Sequence, residues 1–152
     1  MISPTVRAQM LVRRPPGEVF DAFIDPAITT RFWFTKSSGT LEPGAKVTWE
    51  WEMYGVSADV HVKAIERPSR ILIEWGEPPT TVEWLFTALG AEATLVQISN
   101  TGFRGTDEEV VGMALDCMGG FSLVLAALKG WLEHGIALDV VADRDPEAHV
   151  IP

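Results

Sequence analysis

The 152-residue sequence contains one cysteine, Cys117. A disulfide needs two, so no internal disulfide framework holds this chain, and a multi-cysteine zinc site is excluded as well. Positive charge is scarce too: 12 Lys and Arg stand against 21 Asp and Glu, giving a net charge of -9 and a pI near 4.7. Nucleic-acid backbones and anionic lipids are held by Lys and Arg, so neither nucleic acid nor membrane is an expected partner. No uninterrupted apolar run approaches the roughly 20 residues that span a bilayer. The opening segment, MISPTVRAQMLVRRPP, lacks a basic stretch followed by a long apolar one, so no signal peptide is read and a cytoplasmic location is expected. The three histidines, His61, His134 and His149, fall at no metal-ligand spacing, and there is no Cys-x-x-Cys. No metal and no cofactor is expected. A Gly-x-Ser-x-Gly elbow and a phosphate-binding glycine loop are both missing.

Apolar residues make up 47% and charged residues 22%, the composition of a globular chain of one domain. Residues 1–143 are read as that domain and 144–152 as a polar, poorly ordered tail. Val6, Ala8, Met10 and Val12 alternate as a strand. After Pro15, Pro16 and Gly17, residues Val19, Phe20, Phe23 and Ile24 recur at helical spacing, with Glu18 suited to a helix start. Asp25-Pro26 opens a second short helix carrying Ile28, Phe32 and Trp33. From Val47 the period is two: Val47, Trp49, Trp51 and Met53 form one strand, Ala58 to Ala64 the next. Ile71, Ile73 and Trp75 follow, then Val82, Trp84 and Phe86, then Leu95 to Asn100. Turn residues between these runs predict an antiparallel meander. Thr106-Asp107-Glu108-Glu109 is a capping residue followed by acids, and apolar spacing then predicts one long helix to His134-Gly135. Gly119-Gly120 inside it predicts a kink or the close approach of another backbone.

A curved sheet has one apolar face to bury, and a long helix covers it. The inward set is unusually aromatic, which suits a ligand pocket, although the same rings can simply fill a core.

The run PPGEVFDAFIDPAITTRFWF resembles the opening of the START-like, or SRPBCC, superfamily, in the branch of the heat-shock-protein-90 ATPase activator homologues. Pro15 or Pro16, Val19-Phe20, Asp25-Pro26 and Phe32-Trp33 stand at the positions of that entry pattern. Pro43-Gly44, Arg70 to Trp75, Thr101-Gly102-Phe103, and Gly120-Phe121 through Glu133-His134-Gly135 follow in the family's order. The resemblance implies an α+β helix-grip fold: a curved antiparallel sheet around a long C-terminal helix, with two short helices after the first strand and a hydrophobic cavity between sheet and helix. It does not choose among carriers, cyclases and chaperone cofactors. The ATPase-activating role belongs to a longer protein with a further domain, so it is not carried over.

The expected function is binding of a small apolar molecule. Its expected lining is Phe32, Trp33, Trp49, Trp51, Trp75, Trp84, Phe86, Met113, Cys117, Met118 and Phe121. No residue is assigned a catalytic role. The rivals are a cyclase- or dehydratase-like enzyme on an aromatic or polyketide substrate, which needs an acid or base inside the cavity, and an interaction module or homodimer. Asp116 is read as solvated, with a buried acid or base as the alternative. Arg31 is read as either a surface ion pair or a ligand-carboxylate partner at the cavity mouth. Cys117 is read as inert packing, His61 as an exposed strand residue and His134 as a helix-end charge.

Overall fold

A computed structural model describes residues 1–148. Seven strands appear among them: β1 (Val6–Val12), β2 (Lys36–Ser37), β3 (Lys46–Trp51), β4 (Val56–Glu66), β5 (Arg70–Trp75), β6 (Thr80–Ala88) and β7 (Thr94–Thr101). All pair antiparallel, in the order β1-β7-β6-β5-β4-β3-β2. The helices are α1 (Pro16–Ile24), α2 (Pro26–Thr29), α3 (Asp107–His134) and α4 (Val140–Asp143). The architecture is α+β: one curved antiparallel sheet grips α3.

Each element follows from local chemistry. Pro16 opens α1 with φ already helical. The Asp25 carboxylate caps α2, accepting from the Ala27 amide at 3.0 Å. Phe32 and Trp33 fall just past α2, in the turn that follows it, and are buried there. Met53 leaves the strand pattern, because the chain turns through a 3-10 segment, Glu52–Tyr54, before Gly55 reverses it with φ 62°. The inner face of the sheet is a row of paired apolar residues: Val62 opposes Ile73, Ile73 opposes Val82, Ile71 opposes Trp84 and Trp84 opposes Ile98.

Helix α3 starts on a complete capping box. Thr106 accepts from the Glu109 amide, and Glu109 accepts from the Thr106 amide. Gly135 ends the helix in the left-handed conformation. Phe121, Val124, Leu125 and Leu128 are buried along the side that faces the sheet. By length and composition α3 is apolar enough to cross a bilayer. That corrects the sequence reading, which counted only uninterrupted runs. Lone polar and glycine positions break the run without lowering the average much. In this fold the helix is the rod that the sheet holds.

The far end of α3 is tied to the sheet edge. Lys129 Nζ donates to the Leu11 carbonyl at 2.8 Å, and the Glu133 carboxylate accepts from the Arg13 amide at 2.8 Å and from Lys129 at 2.6 Å. Burial pushes the Glu133 carboxyl up, but the Arg13 amide and the Lys129 ammonium outweigh burial and hold it below the ordinary carboxylate range.

The chain beyond α3 turns back to that helix at Arg144. Arg144 Nη2 donates to Asp116 Oδ1 at 2.9 Å, and Arg144 Nη1 to the Asp116 carbonyl at 3.3 Å. Among the described residues no strand or helix backbone meets the Gly119-Gly120 pair, contrary to the sequence expectation. The Arg144 guanidinium does, and α3 runs through the pair as one helix. His149 lies outside the described residues, as does the end of the predicted tail.

Two stability changes are expected. Leu125→Ala empties a fully buried site and is expected to cost about 2–5 kcal/mol in urea denaturation. Glu133 has a folded pKa below its unfolded value. Its contribution is therefore present above about pH 4.3 and is lost as pH falls through the folded value. The urea midpoints of wild type and Glu133→Gln are expected to converge in that acid range.

Candidate functional site

Aromatic residues at the ends of strands and in the post-α2 turn meet in one layer. Trp33 is its centre, with ring centroids 4.9 Å from Trp49, 5.9 Å from Trp75, 6.0 Å from Phe121, 6.1 Å from Trp84 and 6.2 Å from Trp51. Phe34 stacks on Trp49 at 4.6 Å, and Trp75 stacks on Phe121 at 5.8 Å. Offset and edge contacts of this kind add to the gain from burying ring area and fix the orientation of each ring.

Beside this layer lies a cleft of about 350 Å³. One wall is the sheet end: Trp51 at the end of β3, Tyr54 in the 3-10 turn, Val56 at the start of β4 and Trp75 at the end of β5, with Trp33 beside them. The opposite wall is α3, through Asp116, Cys117, Gly120, Phe121, Leu123 and Val124. The third side is the segment after α3, through Val141, Arg144 and Asp145. A depression of about 590 Å³ on the outer face of β1, β6 and β7 is larger, but its lining contains no aromatic ring and is largely polar, with Arg7, Gln9, Glu83 and Gln97 among it. The aromatic cleft is the better candidate, because apolar walls with few polar groups are what small-molecule sites present.

The predicted lining therefore divides. Trp33, Trp51, Trp75, Cys117 and Phe121 line the cleft. Trp49 and Trp84 do not: each is 1% exposed and sits in the core. Phe32 and Phe86 are core residues as well, packed against Phe23 at 5.4 and 6.0 Å. Met113 and Met118 are 39% and 43% exposed and lie outside the cleft lining. The apolar arc of α3 is wider than its contact with the sheet, so apolar spacing placed too many of its residues inward. Arg31 is in neither predicted place, since its guanidinium lies over the Trp131 ring, 5.5 Å from the centroid.

Sequence reasoning missed Tyr54, Val56, Leu123, Val124, Val141, Arg144 and Asp145. The one signal that pointed there was Gly119-Gly120. A Cβ on Gly119 would lie 3.1 Å from Arg144 Nη2, and one on Gly120 would lie 3.3 Å from Nη1. The bare backbone of the pair is the seat on which the guanidinium rests.

The post-α3 segment is fastened at a second point. Tyr54 Oη donates to the Val141 or the Ala142 carbonyl, at 2.5 and 2.8 Å. Burial raises the Tyr54 phenol above its ordinary value, with the Asp145 backbone hydrogen bond working the other way. Burial also pushes the Cys117 thiol up, and the neighbouring Asp116 charge adds to this. Both groups are neutral at pH 7. Asp116 is solvated, with a side chain 76% exposed, and its partner is Arg144. Trp84 Nε1 is buried without an acceptor among the described residues, with the rings of Phe23, Trp33 and Phe121 around it. Among the described residues no cluster of His, Cys, Asp or Glu is arranged to hold a metal.

The profile of activator of Hsp90 ATPase homolog 1-like proteins matches residues 13–133. The chain belongs to that family. The match takes in the whole of the sheet from β2 to β7 and all but the last residue of α3. Solved structures agree with it. The protein SSP2350 of Staphylococcus saprophyticus is 29% identical, with a TM-score of 0.76 over 89% of this chain and 96% of that one. The Aha1 dimer of Colwellia psychrerythraea has the same fold at 16% identity, with a TM-score of 0.75 over 89% of this chain and 98% of that one. DynU16, from the dynemicin biosynthetic locus, is 24% identical, with a TM-score of 0.72 over 88% of this chain but 48% of that one. No curated protein matches the chain. The family match ends at residue 133, so the segment that closes the cleft lies beyond it.

The seat of Arg144 gives a direct test. Cys117 alkylation by iodoacetamide at pH 8 is expected to be about tenfold or more slower than that of an exposed thiol. Gly119→Val places methyl groups where the guanidinium rests and is expected to speed alkylation several-fold. An unchanged rate would mean that the post-α3 segment does not cover the thiol.

Proposed function

We propose that this protein binds a small, mostly apolar molecule in the cleft between the sheet end and α3, in the cytoplasm. The carrying observation is a space of about 350 Å³ walled by Trp33, Trp51, Trp75 and Phe121. Protein interiors pack to crystal-like density, so an open cleft walled by aromatic rings is a place where a ligand of matching shape can bury apolar area.

The cleft favours binding over catalysis. Proton transfer at neutral pH calls for a group poised near pH 7. Tyr54 and Cys117 are both shifted away from that range, and the Tyr54 hydroxyl is occupied by backbone carbonyls. A cyclase- or dehydratase-like activity would have to work through Asp116 or Asp145 at the solvated mouth.

Self-association is a second property we infer. Val111, Leu115 and Met118 recur on one side of α3 and are 40%, 60% and 43% exposed. The related Colwellia psychrerythraea protein is a dimer. A second copy of this chain is the partner that such a self-complementary strip fits. Sedimentation of Leu115→Lys is expected to show a monomer where the wild type is a dimer.

Native mass spectrometry of the purified protein, with and without denaturation, tests the main reading. A small molecule retained by the wild type and lost from Cys117→Trp, which fills the cleft, is the expected result. Equal retention by both proteins would place the ligand elsewhere.

A further inference from the structure

The cleft has a definite charge pattern. Its lining carries two carboxylates, Asp116 and Asp145, and one guanidinium, Arg144, an excess of one negative charge. Asp116 is paired with Arg144 at 2.9 Å, while Asp145 has no ion pair among the described residues. The rings of Trp33, Trp51 and Trp75 face the same space, and aromatic faces attract cations through their quadrupole. The chain as a whole carries -9, which lowers the local concentration of anions further. A cation is already in residence: the Arg144 guanidinium, resting on the bare helix at Gly119-Gly120 and held by Asp116.

We propose that the cleft takes an aromatic molecule bearing a cationic group, which displaces Arg144 and pairs with Asp116. This rests on the cleft being the binding site. The ring system of such a ligand lies against the indoles, and its ammonium or guanidinium group occupies the mouth. Arg144 is then the internal competitor and Asp116 the residue that sets charge preference. Because the Asp116 side chain is 76% exposed, solvent screens the pair and the preference is moderate.

The test is a fluorescence titration of the full chain with three probes that share one ring system: 9-anthracenylmethylammonium, 9-anthracenemethanol and 9-anthracenecarboxylate. The ammonium is expected to bind about tenfold more tightly than the carboxylate, with the alcohol between them. Added salt is expected to narrow the gap. Two variants break the same ion pair and separate the assignment from mere loosening of the segment. Asp116→Asn is expected to weaken the ammonium several-fold, and Arg144→Gln to tighten it several-fold, with circular dichroism confirming that both fold. Loosening alone would move both variants in one direction, and that result would overturn the assignment, as would equal binding of the three probes or tightest binding of the carboxylate. If none of the three binds, the ligand-binding reading itself falls and the charge assignment goes with it.

Discussion

Trp33 cannot move without moving its neighbours. It stands at the centre of a layer in which seven other rings approach its centroid within 6.3 Å: Phe23, Phe34, Trp49, Trp51, Trp75, Trp84 and Phe121. Aromatic rings are large, have few rotamers and pack in offset or edge geometries, so a layer of them behaves as a rigid block. Aliphatic side chains in the same place would relax into the space between the sheet end and α3 and close it. The ring block does not. Trp49 and Trp84 supply the core, the central Trp33 reaches from it to the cleft, and Trp51 and Trp75 line the cleft at the strand ends.

The third side of that volume is made by chain that contributes little to the core. Tyr54 Oη and Asp116 hold the segment after α3 from two directions, one through backbone carbonyls and one through a guanidinium. These are polar contacts at a partly wet surface, each worth far less than the burial that fixes α3 itself. The fold thus combines two stabilities: a grip whose ends are clamped by a capping box and by Lys129 and Glu133, and a strap held by a few exchangeable bonds. Segments fastened in the second way are the ones that open locally without unfolding the rest. A ligand reaching the cleft meets that strap first.

Much of the fold was readable from the residues because periodicity reports which face a side chain takes. The alternations around Trp49, Val60, Ile73, Trp84 and Val96 gave the strands, and the Thr106 box and Gly135 marked the ends of α3. Parity says nothing about position along a strand, however. Trp49 and Trp51 share a face in sequence, but Trp49 lies mid-strand in the core while Trp51 lies at the strand end beside the cleft. Helical spacing has the corresponding weakness. Met113 and Met118 belong to the apolar arc of α3, yet the sheet covers only part of that arc, so both are exposed. The strap was illegible for a different reason. Arg144 and Asp145 are polar, follow no period and gain their meaning from Asp116, 28 residues earlier. Gly119-Gly120 announced a close approach without saying which element makes it.

The central claim is that the cleft beside the ring layer stands open, with an apolar inner wall, and does not close in solution. Diffraction from a crystal of the protein pressurised with xenon tests this directly, since xenon enters apolar cavities and leaves packed cores empty. The account predicts a xenon peak among Trp75, Cys117 and Phe121 with the surrounding rings unmoved. Side chains from α3 or the sheet filling that volume, with no xenon bound, would contradict it.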